Sequence, residues 1–311
     1  MTLEVRPYEP GLRDDWNALN ARADNGHFLF DRRFMEYHAD RFIDASLVIM
    51  DGGAPAALLP ANRKDDVAYS HQGLTFGGLV DVFDRSAARF EALNLMADRL
   101  KADGCATLIY KSLPWIYRGR PSEADLYWLH GRGARLKARH LTTSIDLARP
   151  GRRSSRRERG VKKAAKAGLT YARSSDWAGF WSLLQTVLDQ RHGVRPVHDL
   201  AEIGLLASRF PDNISLHLAT SASEILAGVV MFSTPLVAHA QYIAVGEAGR
   251  ELGALDGLFD HLIRHQPADR RWFDFGVSTE RGGDVLNEGL LTQKEEFGGG
   301  SVVHDIYEME L

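Results

Sequence analysis

The sequence contains a single cysteine, Cys105, among 311 residues. One thiol cannot form an intramolecular disulfide or a cysteine zinc cluster, and its place at the start of the apolar run CATLIY predicts a core residue. Every apolar run is well short of the roughly 20 residues that a membrane-spanning helix needs, so we expect no membrane span. The first residues show neither the apolar core nor the cleavage site of a secretory signal, which predicts a cytoplasmic protein.

Three motifs of nucleotide and metal chemistry are also missing from the sequence: a Walker phosphate loop, a dinucleotide-binding fingerprint and a cluster of metal ligands. Redox chemistry with a nucleotide cofactor is therefore not expected, and we predict no metal. A hydrophobic content of 44% with 25% charged residues is that of an ordinary globular protein, and 311 residues are comfortable for two domains.

The charge is distributed unevenly. Residues 1–150 carry 20 basic and 20 acidic side chains, residues 151–166 carry 8 and 1, and residues 167–311 carry 10 and 20. The middle segment places Arg152, Arg156, Arg159, Lys163 and Lys166 at helical spacing, which predicts a surface helix with one basic stripe. Two interpretations stay open: a solvated connector, or a docking site for the phosphates of tRNA, a nucleotide-sugar diphosphate or CoA.

The two halves repeat one pattern of predicted elements: helix, helix, strand, strand, strand, helix, strand, helix, strand. Leu47 and Leu216 occupy matching places in the predicted hairpins, and Ile109 and Phe273 occupy matching places in the strands that follow the third helix. Agreement in the order of these elements favours duplication over coincidence. A meander followed by strand–helix–strand units predicts an α/β fold with a mixed sheet, and two such domains at 1–150 and 151–311. The second domain would begin with the basic helix, 151–167.

Several stretches carry a resemblance to a known family. They are SHQGLTFGGLV (70–80), YKSLPWIYRGRPSEADLYWL (110–129), KKAAKAGLTY (162–171), GVVMFSTPLVAHAQYIAV (228–245) and QKEEFGGG (293–300). With the element order, they resemble tandem GNAT-like domains of the GNAT acyltransferase superfamily, in particular the Fem-type transferases that build peptidoglycan cross-bridges. The resemblance implies transfer of an acyl or aminoacyl group to an amine, with the first domain on the acceptor side and the second on the donor side.

The donor remains open between acyl-CoA and aminoacyl-tRNA. CoA-using relatives hold the pyrophosphate on a loop of the type Arg/Gln-x-x-Gly-x-Gly/Ala, and here the matching place is AGRELGALDGL. Arg250 and Gly253 fit the first and fourth positions, whereas Leu255 stands where a small residue is expected. Besides Arg250 and Gly253, the candidate donor-binding residues are Arg156 and Lys163 of the basic helix.

The catalytic candidates are Lys294, Glu280, Asp274 and His239. By resemblance, Lys294 matches the family's lysine before Phe-Gly-Gly, where it would stabilise an oxyanion or hold the donor. Asp274 and Glu280 lie at the end of the strand where GNAT-like sites occur, and either is a candidate base. His239 lies in the central strand, where a lone histidine is more often a core residue than a base.

The predicted substrate-binding residues are His71, Lys111, Tyr117, Gln241, Tyr242 and Ser278. The resemblance assigns the first three to the acceptor groove, for a small-molecule or peptidoglycan-precursor acceptor. The possible macromolecular partner is tRNA; we expect no DNA partner, and the sequence leaves the oligomeric state open. Two alternatives stay open, namely a conventional acyl-CoA N-acetyltransferase of another small-molecule amine and a GNAT-fold binding protein without catalysis.

Overall fold

The computed structural model describes residues 2–191 and 195–311 of the chain. The helices are α1 (Arg13–Arg22), α2 (Arg32–Met35), α3 (Ser86–Ala102), α4 (Ala124–Gly131), α5 (Ser155–Lys166), α6 (Trp177–Arg191), α7 (Leu200–Arg209), α8 (Glu247–Leu252), α9 (Ala254–Arg264) and α10 (Glu288–Glu295). The strands are β1 (Leu3–Pro7), β2 (Ile43–Asp44), β3 (Leu47–Asp51), β4 (Ala54–Leu59), β5 (Asn62–Lys64), β6 (Val67–Tyr69), β7 (Val80–Asp81), β8 (Thr107–Lys111), β9 (Arg135–Asp146), β10 (Thr170–Ser174), β11 (Ile214–Ser221), β12 (Glu224–Ser233), β13 (Val237–Val245), β14 (Trp272–Val277), β15 (Thr279–Glu280), β16 (Val285–Leu286) and β17 (Gly300–Glu310). In this part of the chain, every helix is too short or too polar to cross a lipid bilayer.

The chain forms two compact units. The first unit comprises Met1–Leu141, Glu280–Val285 and Val303–Leu311, and the second comprises Thr142–Thr279 and Leu286–Val302. The chain therefore passes from the first unit to the second within β9, re-enters the first unit for Glu280–Val285, and returns to it again within β17. The predicted elements occur in the predicted order in both halves, and the structure adds β1, β2, β5 and β7 in the first half and β10, α8, β15 and β16 in the second. The tandem α/β fold with mixed sheets is thus confirmed.

The first unit builds its core between α3 and two sheets. One sheet has the order β1-β3-β4-β7 and is antiparallel, and the strands β17, β8, β6, β5 and β2 follow one another in the other. In the latter, β6 runs parallel to β8. Ala92, Met96 and Leu100 of α3 share one buried cluster with Ile49 and Tyr110. Cys105 belongs to this cluster, which confirms its prediction as a core residue.

The second unit has the strand order β10-β11-β12-β13-β14-β9, with β13 and β14 as its parallel pair. Val229 and Met231 of β12 share a buried cluster with Leu258 of α9. At the position before Val229, the bare backbone of Gly228 allows Phe180 of α6 to approach closely. Because neighbouring residues of a strand point to opposite faces, α9 and α6 cover opposite faces of this sheet.

Two predicted elements differ in extent from the structure. The strand predicted over VAYSHQGLTF ends at Tyr69, because the backbone turns at His71, whose φ is +79°. The helix predicted over SDWAGFWSLLQTVLDQRHG is α6, and its residues 192 and 193 lie outside the described residues. The predicted basic helix is α5, where the Ser154 side chain accepts a hydrogen bond from the Arg157 backbone N–H.

Candidate active site

A buried histidine–aspartate pair lies in the sheet of the second unit. His239 of β13 and Asp274 of β14 are partners in the parallel register. The His239 Nδ1 atom lies 2.5 Å from the Asp274 Oδ2 atom, and Asp274 is 0% exposed. An ionised carboxylate only accepts hydrogen bonds, so Nδ1 donates and Nε2 is left as the proton-accepting atom. Two of the predicted catalytic residues are thereby brought into contact, and together they have the form of a general base held in one tautomer.

The strands β13 and β14 part immediately beyond this pair. Their ladder begins at Val237 and Trp272 and ends at His239 and Asp274, although both strands continue. On its other side, β13 carries a bulge at Gln241, because neighbouring residues of β12 pair with Ala240 and Tyr242. A bulge leaves a residue outside the ladder and changes the direction of the side chains around it. Where the strands part, the His239 side chain is 12% exposed, whereas that of Asp274 is fully buried.

Gly276 forms one wall beside this ring. Its φ of +76° is a conformation that glycine adopts without strain. A methyl group placed there would lie 3.4 Å from His239 Cε1 and 3.9 Å from His239 Nε2. Such a methyl group would be in van der Waals contact with the proton-accepting edge of the imidazole, so the bare backbone of Gly276 leaves this edge uncovered on the side of β14.

Lys294 fastens the end of β14 to α10. Its Nζ atom donates to the carbonyl oxygens of Gly276 at 2.8 Å and Val277 at 2.7 Å, and the residue is 6% exposed. Burial lowers the pKa of Lys294 to about 8, and the negative charge of Asp274 acts in the opposite direction. The predicted catalytic lysine is thus a buried cation that holds the strand beside His239 in place.

A cavity of about 380 Å³ opens at the end of β13. It is lined by Arg156, Arg157, Val245, Gly249, Arg250, Gly253, Leu255, Asp256 and Gln293. Arg156 is exposed, and Arg250 is exposed with its Nη2 atom donating to the Val245 carbonyl at 3.1 Å. Gly253, with φ +72°, ends α8 and immediately precedes α9. Guanidinium groups beside the start of a helix suit an anionic group such as a phosphate.

The helix α5 reaches this cavity because it packs tightly on α9. A methyl group at Gly160 would overlap the Asp256 carboxylate, and one at Gly253 would overlap the Gly160 carbonyl. Arg157 forms ion pairs with Asp256 at 2.5 Å and Glu296 at 3.0 Å. On this inner face, acidic groups of the second half form ion pairs with the basic helix. These contacts match the connector interpretation.

The outer face of α5 is charged and solvated. The side chains of Arg156, Arg159, Lys162, Lys163 and Lys166 are exposed on this face, and Arg152, predicted as part of the stripe, is exposed just before the helix begins at Ser155. Arg156 alone of these residues lines the cavity. The structure thus brings three of the predicted donor-binding residues together at the cavity, whereas Lys163 lies elsewhere on α5.

Tyr242, Ser278 and Glu280 are three further predicted site residues. Tyr242 is buried, and its hydroxyl lies 2.6 Å from His198 Nδ1. Ser278 is buried, and its carbonyl accepts a hydrogen bond from the Asn287 backbone at 2.9 Å. Glu280 is exposed and belongs to the first unit. Their roles in binding or catalysis stay predictions.

The three predicted acceptor-binding residues of the first unit have structural contacts. Lys111 Nζ donates to the carbonyl oxygens of His71 at 3.1 Å and Leu74 at 2.7 Å, so it anchors the loop that follows β6. Burial lowers the pKa of Lys111 to about 8 and that of His71 to about 3. Tyr117 is buried, and its ring lies 4.7 Å from that of Phe76. A role of these residues in acceptor binding stays a prediction.

Two residues beside the buried pair were not predicted. Thr142 Oγ1 lies 2.5 Å and Ser144 Oγ 2.6 Å from Asp274 Oδ1. In the sequence they appear only as part of the hydroxyl-bearing run LTTSID of β9, which carries no signal of function. Since the pattern names no partner, only the pairing of β9 with β14 assigns these hydroxyls to Asp274.

Part of the second half of the chain matches a known domain family. Residues 151–282 match the family described as an acetyltransferase (GNAT) domain. The chain has the GNAT fold in a tandem, Fem-like arrangement, as the resemblance had implied. No curated protein sequence matches the chain significantly.

Solved structures share this fold at low sequence identity. FemX has a TM-score of 0.71 at 13% identity, over 99% of this chain and 97% of its own. The C-terminal domain of a protein designated lysylphosphatidylglycerol synthetase, from Agrobacterium fabrum, has a TM-score of 0.61 at 13% identity, over 95% and 90%. A tandem GNAT protein from the clavulanic acid biosynthesis pathway has a TM-score of 0.50 at 13% identity, over 99% and 98%. At this identity the likeness establishes the fold.

Proposed function

We propose that the chain is an acyltransferase that moves an acyl or aminoacyl group from a phosphate-bearing donor to an amine. The observation that carries the proposal is the His239–Asp274 pair, which lies where β13 and β14 part. A base at this point of a GNAT-type sheet suits an amine, which must lose a proton as it becomes acylated. The fold shared with FemX and with the lysylphosphatidylglycerol synthetase domain supports a cell-envelope precursor as the acceptor.

The proposed reaction proceeds by attack of the amine nitrogen on the carbonyl carbon of the donor. A C–N bond forms, and the bond to the leaving group breaks: C–S for a CoA thioester, or C–O for an aminoacyl ester. His239 Nε2 accepts the proton of the amine, and the same proton can then neutralise the leaving sulfur or oxygen. Backbone N–H groups at the Gln241 bulge are the proposed donors to the developing oxyanion.

Lys294 has a supporting role in this proposal. Because its ammonium is engaged by the Gly276 and Val277 carbonyls, it fixes the strand that borders the reacting groups. Its positive charge, buried near the site, also favours negative charge that develops on the carbonyl oxygen. The role is positional and electrostatic, and it involves no proton transfer.

The cavity at the end of β13 is the proposed place for the donor's phosphates. Arg156 and Arg250 supply positive charge, while Leu255 occupies the position where CoA-binding loops have a small residue. Arg156 comes from α5, outside that loop, and its guanidinium compensates for the poorer approach to the backbone. CoA and the terminal nucleotides of a charged tRNA share the phosphate chemistry that this cavity suits.

The test is a transfer assay with purified protein and two donor series, acyl-CoAs and aminoacyl-tRNAs, against amine-bearing peptidoglycan-precursor peptides. We expect transfer with at least one donor series and its loss in His239→Gln, while wild-type and variant bind the donor equally in calorimetry. Transfer with acyl-CoA alone would set aside the tRNA alternative. Binding without transfer in every combination would favour a GNAT-fold binding protein and contradict the proposal.

A further inference from the structure

The carboxylate of Asp274 is held by two hydroxyls on its other oxygen. Thr142 Oγ1 lies 2.5 Å and Ser144 Oγ 2.6 Å from Oδ1, while the imidazole of His239 occupies Oδ2. Thr142 and Ser144 are alternate residues of β9 and so point to the same face of the sheet. These three donors to the carboxylate come from the two strands that flank β14.

An irregularity of β14 makes the arrangement possible. Ser144 is opposite Asp274 in the antiparallel register, but Thr142 is opposite Val277, so β14 has one residue more than β9 over this stretch. Such a bulge increases the local twist and redirects side chains. In a regular ladder, each residue of β9 would be opposite one residue of β14. The bulge allows two hydroxyls of β9 to converge on one carboxylate oxygen.

The hydroxyls bear on the charge state of the pair. Asp274 is 0% exposed, so water does not solvate its charge, and a buried carboxylate stays ionised only if donors compensate it. An ionised Asp274 accepts from His239 Nδ1–H and keeps Nε2 free for a proton. A protonated Asp274 could instead donate to Nδ1, which would move the ring proton to Nε2 and remove the base.

We propose that Thr142 and Ser144 are positioning residues that keep Asp274 ionised and oriented, and thereby fix His239 in the tautomer whose Nε2 accepts the substrate proton. This inference rests on the proposed function for its catalytic consequence, although the state of the imidazole can be observed without any substrate. The residues act through Asp274 and touch no reacting atom.

The first experiment follows the imidazole itself. In protein labelled with ¹⁵N-histidine, His239 Nδ1–H should give a strongly downfield proton signal, assigned by its loss in His239→Gln. We expect the double variant Thr142→Val with Ser144→Ala to lose this signal. The matched variant Thr142→Ser with Ser144→Thr keeps both hydroxyls and should retain it. An unchanged signal in a folded double variant would overturn the inference.

The second experiment measures transfer. We expect the hydroxyl-free double variant to lower kcat by about 10- to 100-fold, the usual effect of removing groups that orient a functional side chain, with the donor KM unchanged. The hydroxyl-retaining variant should recover most of kcat. A double variant with wild-type kcat would contradict the positioning role while leaving the proposed function intact. A wild-type protein with no transfer would contradict the proposed function, and the imidazole signal would still decide the positioning role.

Discussion

The ammonium of Lys294 lies 2.8 Å from the carbonyl oxygen of Gly276, the residue whose backbone borders the His239 ring. This contact couples α10 to the part of β14 that leaves the parallel ladder. A strand end that has parted from its neighbour loses ladder hydrogen bonds, and the lysine replaces two of them. The geometry around His239 therefore depends on a side chain 55 residues further along the chain.

Replacing Lys294 by methionine should reduce both stability and transfer. Two carbonyl groups would lose their buried donor, and we expect unfolding in urea to become easier by about 1–3 kcal/mol. Transfer should fall by at least about 10-fold, as expected when orienting groups are lost. The control is Lys101→Met, an exposed lysine of α3, which should change neither quantity. Wild-type transfer in Lys294→Met would remove the lysine from the site.

Replacing Gly276 by alanine should impair transfer more than stability explains. The position has φ +76°, so alanine should cost about 1–2 kcal/mol of strain. Its methyl group would also lie 3.4 Å from His239 Cε1. Gly282→Ala is the matched control, because it has φ +71° and open space around the added methyl. We expect similar stability losses in chemical denaturation, with the loss of kcat confined to Gly276→Ala; equal kcat in the two variants would contradict the close approach.

Removing the guanidinium groups of the cavity should weaken donor binding. We expect Arg156→Ala and Arg250→Ala each to raise the donor Kd by about 10-fold, the equivalent of about 1.4 kcal/mol, measured by calorimetry. Lys163→Ala serves as the comparison, since its side chain is exposed on the same helix as Arg156 but does not line the cavity. A larger increase of the donor Kd in Lys163→Ala than in Arg156→Ala would favour donor binding along the outer face of α5.

Glycine substitutions can test the packing of α5 on α9. Gly160→Ala would press a methyl group into the Asp256 carboxylate, and we expect a stability loss of about 1–3 kcal/mol in urea unfolding. The control is Gly204→Ala on α7, where the added methyl meets nothing within 4 Å. Because alanine favours a helix over glycine, Gly204→Ala should stabilise the protein by about 0.5–1 kcal/mol. A change in unfolding free energy of the same sign in both variants would argue against the close approach of α5 and α9.

Acid should destabilise the protein through two histidines. Burial lowers the pKa of His71 from 6.5 to about 3 and that of His217 from 6.5 to about 4. Below pH 6.5 the unfolded chain binds protons that the folded chain does not, so stability falls as pH falls, until these folded pKa values are reached. Each group contributes at most about 1.4 kcal/mol per pH unit. Thermal unfolding between pH 7.5 and 4.5 checks this, and His71→Gln should flatten the dependence; a variant with the wild-type slope would contradict it.

The order of elements was predictable because periodicity and turn residues encode it. The hairpin of β3 and β4, the strands β13 and β14, and the helices α9 and α10 all follow from local patterns of apolar and turn residues. His71 shows the limit of this logic, since its positive φ ends a strand that the pattern of apolar residues would continue.

The candidate site was predictable residue by residue, but its contacts were not. His239 and Asp274 were each candidates, yet their meeting depends on a parallel register between strands 35 residues apart. Thr142 and Ser144 lacked any local signal of function, because a hydroxyl in a strand acquires its role from the neighbour that accepts its proton. Burial likewise changed the interpretation of Lys294, whose flanking glutamates suggest a solvated helix.

The crossing of the chain within β9 has a practical consequence for anyone who wishes to produce the second unit alone. A fragment cut to the recognisable acetyltransferase segment, residues 151–282, would lack both hydroxyls that hold Asp274 and the helix that carries Lys294. A circular permutant or an expression fragment must keep residues 142–146 and 286–302 to retain these partners. The segment that matches the acetyltransferase family is thus shorter than the segment that must stay together when this unit is recombined or engineered.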